Sequence, residues 1–583
     1  MAVKRNRKTS VAVLTETFAA EGYERAFAYL INLPNPLPYQ YLLMAATLRG
    51  ARRKPASPAA PAPDTMSPSL LLECVKGKLV RHRSTDQLSI RQPRKTGEIE
   101  VIHTESDVTR QGEVSEGAPP YLGCADNSVF GRFLPSVLHI RANSFADLEP
   151  KHDNSGPRAI STHAHEYVHY LHSIGTTAGQ LYLLSHLILL RYAASGTNEN
   201  GHFLGLEALD EPNRGQLIGI LRCMQELRGQ KKIAFGTIIG RLEFDPPRRI
   251  QSADSAIIEV ERLAVVARGL RSDGTVVTGE MEIAYSFVTE GVAYAVDREI
   301  RRLQGKELPH QLDAEVPLYP YRAYGELIDA WVGRETSVLE RILIGNAALG
   351  HRAVGVTLQR ACEAVRQSER PAEEVLAPII VEGLEQSKAV IEKLGEVMST
   401  TAADPMIAAG LSAYLQLVDR ASFCRRRLLA PERLLIEKPL DVEGFRRVVG
   451  NLVDAMVLQE KPKAKDNREA ELTIDWIGPG HVANDEYQVS GLAALQSAFH
   501  FNSLHHGDDG TMAPTSSIAA NVCPYKGACE VKVSEDQAEL CVSAPWMMFV
   551  DSKPGTSVCW YAAGVKTARR AELVATSPTT SKR

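Results

Sequence analysis

The chain has 583 residues, 44% of them hydrophobic and 23% charged, with a formal net charge of −4. This is ordinary globular composition, and the length allows roughly three or four domains. The near-neutral charge excludes bulk binding to nucleic acid or to an anionic membrane surface.

The first ten residues are basic at Lys4, Arg5, Arg7 and Lys8 but have no apolar stretch behind them, so they do not read as a secretory signal. Thr9 and Ser10 can cap a helix expected over 11–33, and a shorter helix is expected over 39–48. Together they make a helical N-terminal appendage, residues 1–50. The Pro/Ala-rich stretch 51–69 has little to bury and reads as an extended linker. Residues 70–150 are richer in strand signals, with alternation over 98–102 and a second candidate strand over 136–142.

From 151 to 430 helical periodicity dominates, interrupted by one expected hairpin at Asp273-Gly274, between Leu270 and Met281. The most apolar run, 181–190, is about half the length a bilayer requires and contains His186, so it reads as a buried helix and no membrane contact is expected. Residues 431–583 form a mixed C-terminal domain. The expected fold class is α+β, mostly helical. Nine scattered cysteines without a dense framework fit a reducing, cytoplasmic setting.

The chemistry is concentrated at His165, Glu166 and His169, in the order His-Glu-x-x-His. Histidines four apart on a helix share one face, where their imidazoles can converge on a single tetrahedral zinc ion. Glu166 points away from that axis, placed to take a proton from water rather than to ligate. The neighbours Tyr167, Val168, Tyr170 and Leu171 are uncharged, and no proline breaks the helix between 161 and 178.

Residues 162–171 resemble the signature helix of the zincin metallopeptidases, including Thr162 three positions before the first histidine. The resemblance implies a zincin-like catalytic core, one catalytic Zn2+, and an upstream edge strand that binds substrate in extended form. The strand over 136–142 is the candidate for that edge. The metzincin extension is absent, since its glycine position holds His172 and its histidine position holds Gly175. His172 is therefore expected to support a ligand from behind or to lie on the surface.

The resemblance to the gluzincin branch implies a glutamate on a later helix as third ligand. Glu290 fits best, followed by Gly291 and set in an apolar stretch where an unpartnered carboxylate would be costly. Glu259 and Glu282 are rivals. Asp297, two turns on, is a candidate to orient a histidine, and Tyr319, Tyr321 and Tyr324 are candidates to donate to an oxyanion.

The implied activity is hydrolysis of a peptide bond in a protein or peptide substrate. The long flanking regions point to a regulated enzyme with a protein partner. The alternative is a catalytically silent zincin fold that senses or binds through its C-terminal cysteine region. A third reading is a metal hydrolase acting on a non-peptide amide.

That region holds Cys523, Cys529, Cys541 and Cys559, with His500, His505 and His506 nearby. The thiols read either as ligands of a second, structural metal (zinc or an iron–sulfur cluster) or as buried or redox-active groups. Their spacing matches no standard ribbon or finger, and both readings stand.

Overall fold

The computed structural model describes residues 131–134, 139–142 and most of 157–565. The chain divides into two units, Met1–Gly117 and Ala118–Arg583. Every described residue belongs to the second. The expected appendage, linker and strand over 98–102 lie outside the described residues.

Two short strands, β1 (Gly131–Leu134) and β2 (His139–Ala142), precede helices α1 (Pro157–Gly175), α2 (Thr177–Ser195) and α3 (Glu211–Arg228). Strands β3 (Ile238–Phe244), β4 (Arg248–Ile250), β5 (Arg262–Arg271) and β6 (Val276–Ile283) follow, and β6 leads into α4 (Tyr285–Leu303). Then come α5 (Ala323–Val332), α6 (Val338–Leu349), α7 (Val354–Arg366), α8 (Ala372–Thr401), α9 (Pro405–Arg427) and α10 (Val442–Val449). Strands β7 (Ala455–Pro462) and β8 (Ala470–Ile477) and helices α11 (Glu486–Ser503) and α12 (Glu535–Ser543) complete the unit. The fold is mostly helical α+β, as composition and periodicity indicate.

One sheet has the order β1-β2-β7-β8, with β2 and β7 parallel and the other pairs antiparallel. This corrects the expectation for 136–142. Its described part, β2, is paired on both sides and cannot offer an edge to a substrate. Among the described strands, the edges belong to β1 and β8.

Strand β7 is buried on both faces, and its side chains alternate between two cores. Ala455 and Val457 face the main helical core, while Met456 and Leu458 face a smaller cluster built from the C-terminal residues. The segment 431–583, expected as a domain of its own, thus shares a sheet and a core with the helices before it. Helix α9 packs on α11 so closely that a Cβ on Gly491 would lie 2.5 Å from the Gly410 nitrogen.

The second sheet, order β3-β5-β4 with β6 also on β5, is antiparallel. The expected hairpin is present as β5–β6, with Gly274 at φ 80° in its turn. Strands β3 and β4 replace expected helix. Neither segment is long enough for its pattern to decide its structure, and pairing with β5 decides it. The hairpin delivers the chain directly to the start of α4.

Helix α1 lies at the centre of the molecule. From Ala159 to Gly175 its residues are buried, except Thr162 and His165, which are half-buried. Two tyrosines fix its rotation. Tyr167 donates to the Val453 carbonyl at 2.8 Å and Tyr170 to the Asp454 carbonyl at 2.6 Å, just before β7. Asp454 in turn accepts from the Gly480 and Val482 amides. Buried hydroxyls left without such partners would each cost about 1–3 kcal/mol.

The 181–190 run lies within α2 and is largely buried, as expected. No single described helix is long and apolar enough to cross a membrane; α1 and α2 pass that test only as a pair bent by 73°.

Candidate metal centre

Helices α1 and α4 pack against each other, and each opens at one place. On α1 the half-buried positions are Thr162 and His165, one turn apart; on α4, between Tyr285 and Val296, they are Ser286 and Glu290. These openings coincide. His165 Nε2 and His169 Nε2 are 3.1 Å apart, and Glu290 Oε2 lies 3.6 Å from the first and 3.2 Å from the second.

Bonds of about 2.0–2.1 Å to a single tetrahedral zinc set neighbouring ligand atoms roughly 3.3–3.4 Å apart. The three observed separations bracket that value, so the donor set fits one such ion. Among the described residues, His165, His169 and Glu290 are the only group of three or more His, Cys, Asp or Glu whose ligand atoms lie within 4.8 Å of one another.

The electrostatics agree. Burial opposes the His165 imidazolium, but Glu290, then Glu166 and Asp297, outweigh it and lift the pKa to about 9. Burial alone would raise the Glu290 carboxyl; His169 and His165 override this and hold it well below the usual carboxylate range. The point between the three groups therefore draws positive charge, which a proton supplies partly and a divalent cation more fully.

The remaining expected site residues fall into two sets. Glu166 is buried beside His165 and close enough to influence both His165 and Tyr321. Asp297, half-buried on α4, acts on the same two residues. Of the three tyrosines, Tyr321 meets a histidine of the centre, its ring centroid 6.1 Å from that of His165, and Tyr319 lies close enough to feel the Glu290 charge. Burial, with Glu290, Glu166 and Asp297 adding, pushes the Tyr321 hydroxyl pKa up, so it stays protonated.

Tyr319 stacks on Phe287, and Tyr324 donates to the Arg341 carbonyl at 2.7 Å within the core. Glu282 is engaged by Arg262 at 2.9 Å, and Glu259 lies outside the described residues. Gly291 admits Tyr324: a Cβ there would lie 2.0 Å from the Tyr324 ring.

His172 is fully buried behind the centre, not on the surface. Thr289, next to Glu290, places its hydroxyl 3.0 Å from His169 Nδ1 and 2.7 Å from His172 Nδ1. His172 Nε2 lies 3.3 Å from Glu432 Oε1. Glu432, with no exposed surface, accepts from Arg425 at 2.6 Å and from the Asn346 amide at 3.0 Å.

Burial would raise the Glu432 carboxyl, but Arg425 and His172 hold it at about 2, while burial lowers His172 to about 4. Thr289 carried a faint sequence signal as the one polar break beside Glu290. Glu432 and Arg425 carried none.

The C-terminal cysteines gather in the smaller core, Cys523 and Cys559 inside it and Cys529 and Cys541 packed against it. Among the described residues, they do not form a ligand group like that of His165, His169 and Glu290. Two of the three nearby histidines are engaged elsewhere, His500 with the Tyr561 hydroxyl and His505 with the Phe501 carbonyl and Thr515. Burial, with the other three thiols adding, pushes the Cys523 thiol well up.

No family model, curated protein or solved structure matches this chain.

Proposed function

We propose that the chain is a zinc-dependent metallopeptidase that hydrolyses peptide bonds in a protein or peptide substrate. The observation that carries this reading is the convergence of His165 Nε2, His169 Nε2 and Glu290 Oε2 at 3.1–3.6 Å beside the buried Glu166. A zinc ion supplies Lewis acidity at such a centre, acidifying water and polarising a carbonyl.

His165, His169 and Glu290 would hold the ion. The Glu166 carboxylate takes the proton of the attacking water and hands it to the leaving amine. The Tyr321 hydroxyl, kept protonated by its surroundings, donates to the oxyanion that develops on the carbonyl. Asp297 steadies His165 electrostatically. An extended substrate segment finds its backbone partners on β1, the edge strand that packs against α1.

Cys362, Cys424, Cys523, Cys541 and Cys559 carry free thiols, which fits action in the cytoplasm.

The test is Glu166→Gln. The variant should retain the metal and lose hydrolysis of an unstructured protein such as casein by about 100-fold or more, the range of a general base. Cleavage at the wild-type rate would remove Glu166 from the mechanism. A wild-type chain that holds zinc but cleaves no substrate would favour the silent, sensing reading instead.

A further inference from the structure

We infer that Thr289 and His172 form a relay from the buried Glu432–Arg425 pair that fixes His169 as the tautomer whose bare Nε2 faces the metal position. The inference rests on the metal reading above and assigns positioning roles to residues outside the ligand set.

Proton counting carries it. A threonine hydroxyl has one hydrogen to donate. Thr289 Oγ1 nevertheless stands within hydrogen-bond distance of two ring nitrogens, Nδ1 of His169 and Nδ1 of His172. At most one ring can accept from it, so whichever ring does not receive that hydrogen must itself be the donor.

Glu432 decides which. It is fully enclosed and receives donors from Arg425 and Asn346, so it stands as a carboxylate and only accepts. His172 Nε2 faces it at 3.3 Å without the alignment of a hydrogen bond, and the charge on that oxygen favours hydrogen on this nitrogen. Completely buried, with Arg425 nearby to neutralise Glu432, His172 carries a single proton. Its Nδ1 is bare and accepts from Thr289.

The Thr289 oxygen is thereby left to accept from His169 Nδ1, and the His169 hydrogen is committed to that side. His169 Nε2 is left with a lone pair, 3.1 Å from His165 Nε2 and 3.2 Å from Glu290 Oε2. The competing tautomer, with hydrogen on Nε2 pointing into the ligand position, is disfavoured by the whole chain of bonds rather than by one contact. Groups that orient a metal-bound histidine in this way are typically worth about 10–100-fold in metal affinity.

The experiment compares zinc affinity, by competition with a chromophoric chelator, in wild type, Thr289→Val and Thr289→Ser. Valine keeps the shape and removes the hydroxyl; serine restores it. Thr289→Val should bind zinc about 10–100-fold more weakly and shift the visible spectrum of the cobalt-substituted protein, and Thr289→Ser should return both towards wild type. Equal affinity and an unchanged spectrum in Thr289→Val would overturn the relay.

A second measurement needs no variant to fold. Nitrogen-15 labelling of the histidines in the zinc-stripped wild type should show His169 protonated at Nδ1, and protonation at Nε2 would overturn the proposal. If wild type binds no zinc at all, the metal reading fails by itself, and the tautomer still judges the relay.

Discussion

At the scale of single residues, the site was legible wherever local geometry alone fixed it. Helical spacing puts His165 and His169 on one face whatever the rest of the chain does. Glu290 stood out because a lone carboxylate in an apolar run needs a partner. Arg425 did not stand out, because in the sequence it belongs to the run Arg425, Arg426, Arg427, which reads as a solvated helix end. Only tertiary packing sets it against Glu432, seven positions on, inside the core.

The buried histidines carry a consequence for acid stability. Burial lowers His172 and His505 from 6.5 to about 4 in the folded state. Between those values these two side chains bind more protons in the unfolded chain, so their contribution to stability is full above about pH 6.5 and falls as pH drops towards 4. The loss is of the order of 3 kcal/mol per histidine. Glu432, held at about 2 against 4.5, extends it further into acid. Urea unfolding midpoints measured from about pH 7 down to about pH 4.5 should decline steadily; a flat profile would contradict this reading.

At the scale of elements, the helices were legible and the sheets only partly. The apolar run in α2 and the β5–β6 turn could be read directly. Strand β2 was visible as a strand, but its place between β1 and β7 was not, because β7 lies more than 300 residues further along the chain.

The glycine after Glu290 shows the same limit. A small residue there signals a close approach, yet the sequence does not say to what. The structure puts Tyr324 against it, and that contact sets how α4 sits over the segment Leu318–Arg322 that carries Tyr321. Gly291→Ala forces an overlap with the Tyr324 ring, and overpacking of this kind costs about 1–3 kcal/mol. The melting temperature of Gly291→Ala should fall by several degrees. An unchanged value would mean that Tyr324 can move aside freely.

At the scale of the whole described unit, one strand organises the molecule. Because β7 faces the helical core on one side and the cysteine-containing cluster on the other, the C-terminal region buttresses the sheet that holds α1 in place through Val453 and Asp454. A composition shift near 430 suggested a boundary, but side-chain alternation along five buried residues of β7 joins the two sides.

Everything functional then depends on whether α1 and α4 together hold a metal ion. Metal analysis of the purified wild type beside His169→Ala and Glu290→Ala addresses that most directly. The account predicts about one zinc per wild-type chain and a large loss in both variants, with helix content unchanged by circular dichroism. A full equivalent of zinc in folded Glu290→Ala, bound as tightly as in wild type, would contradict it.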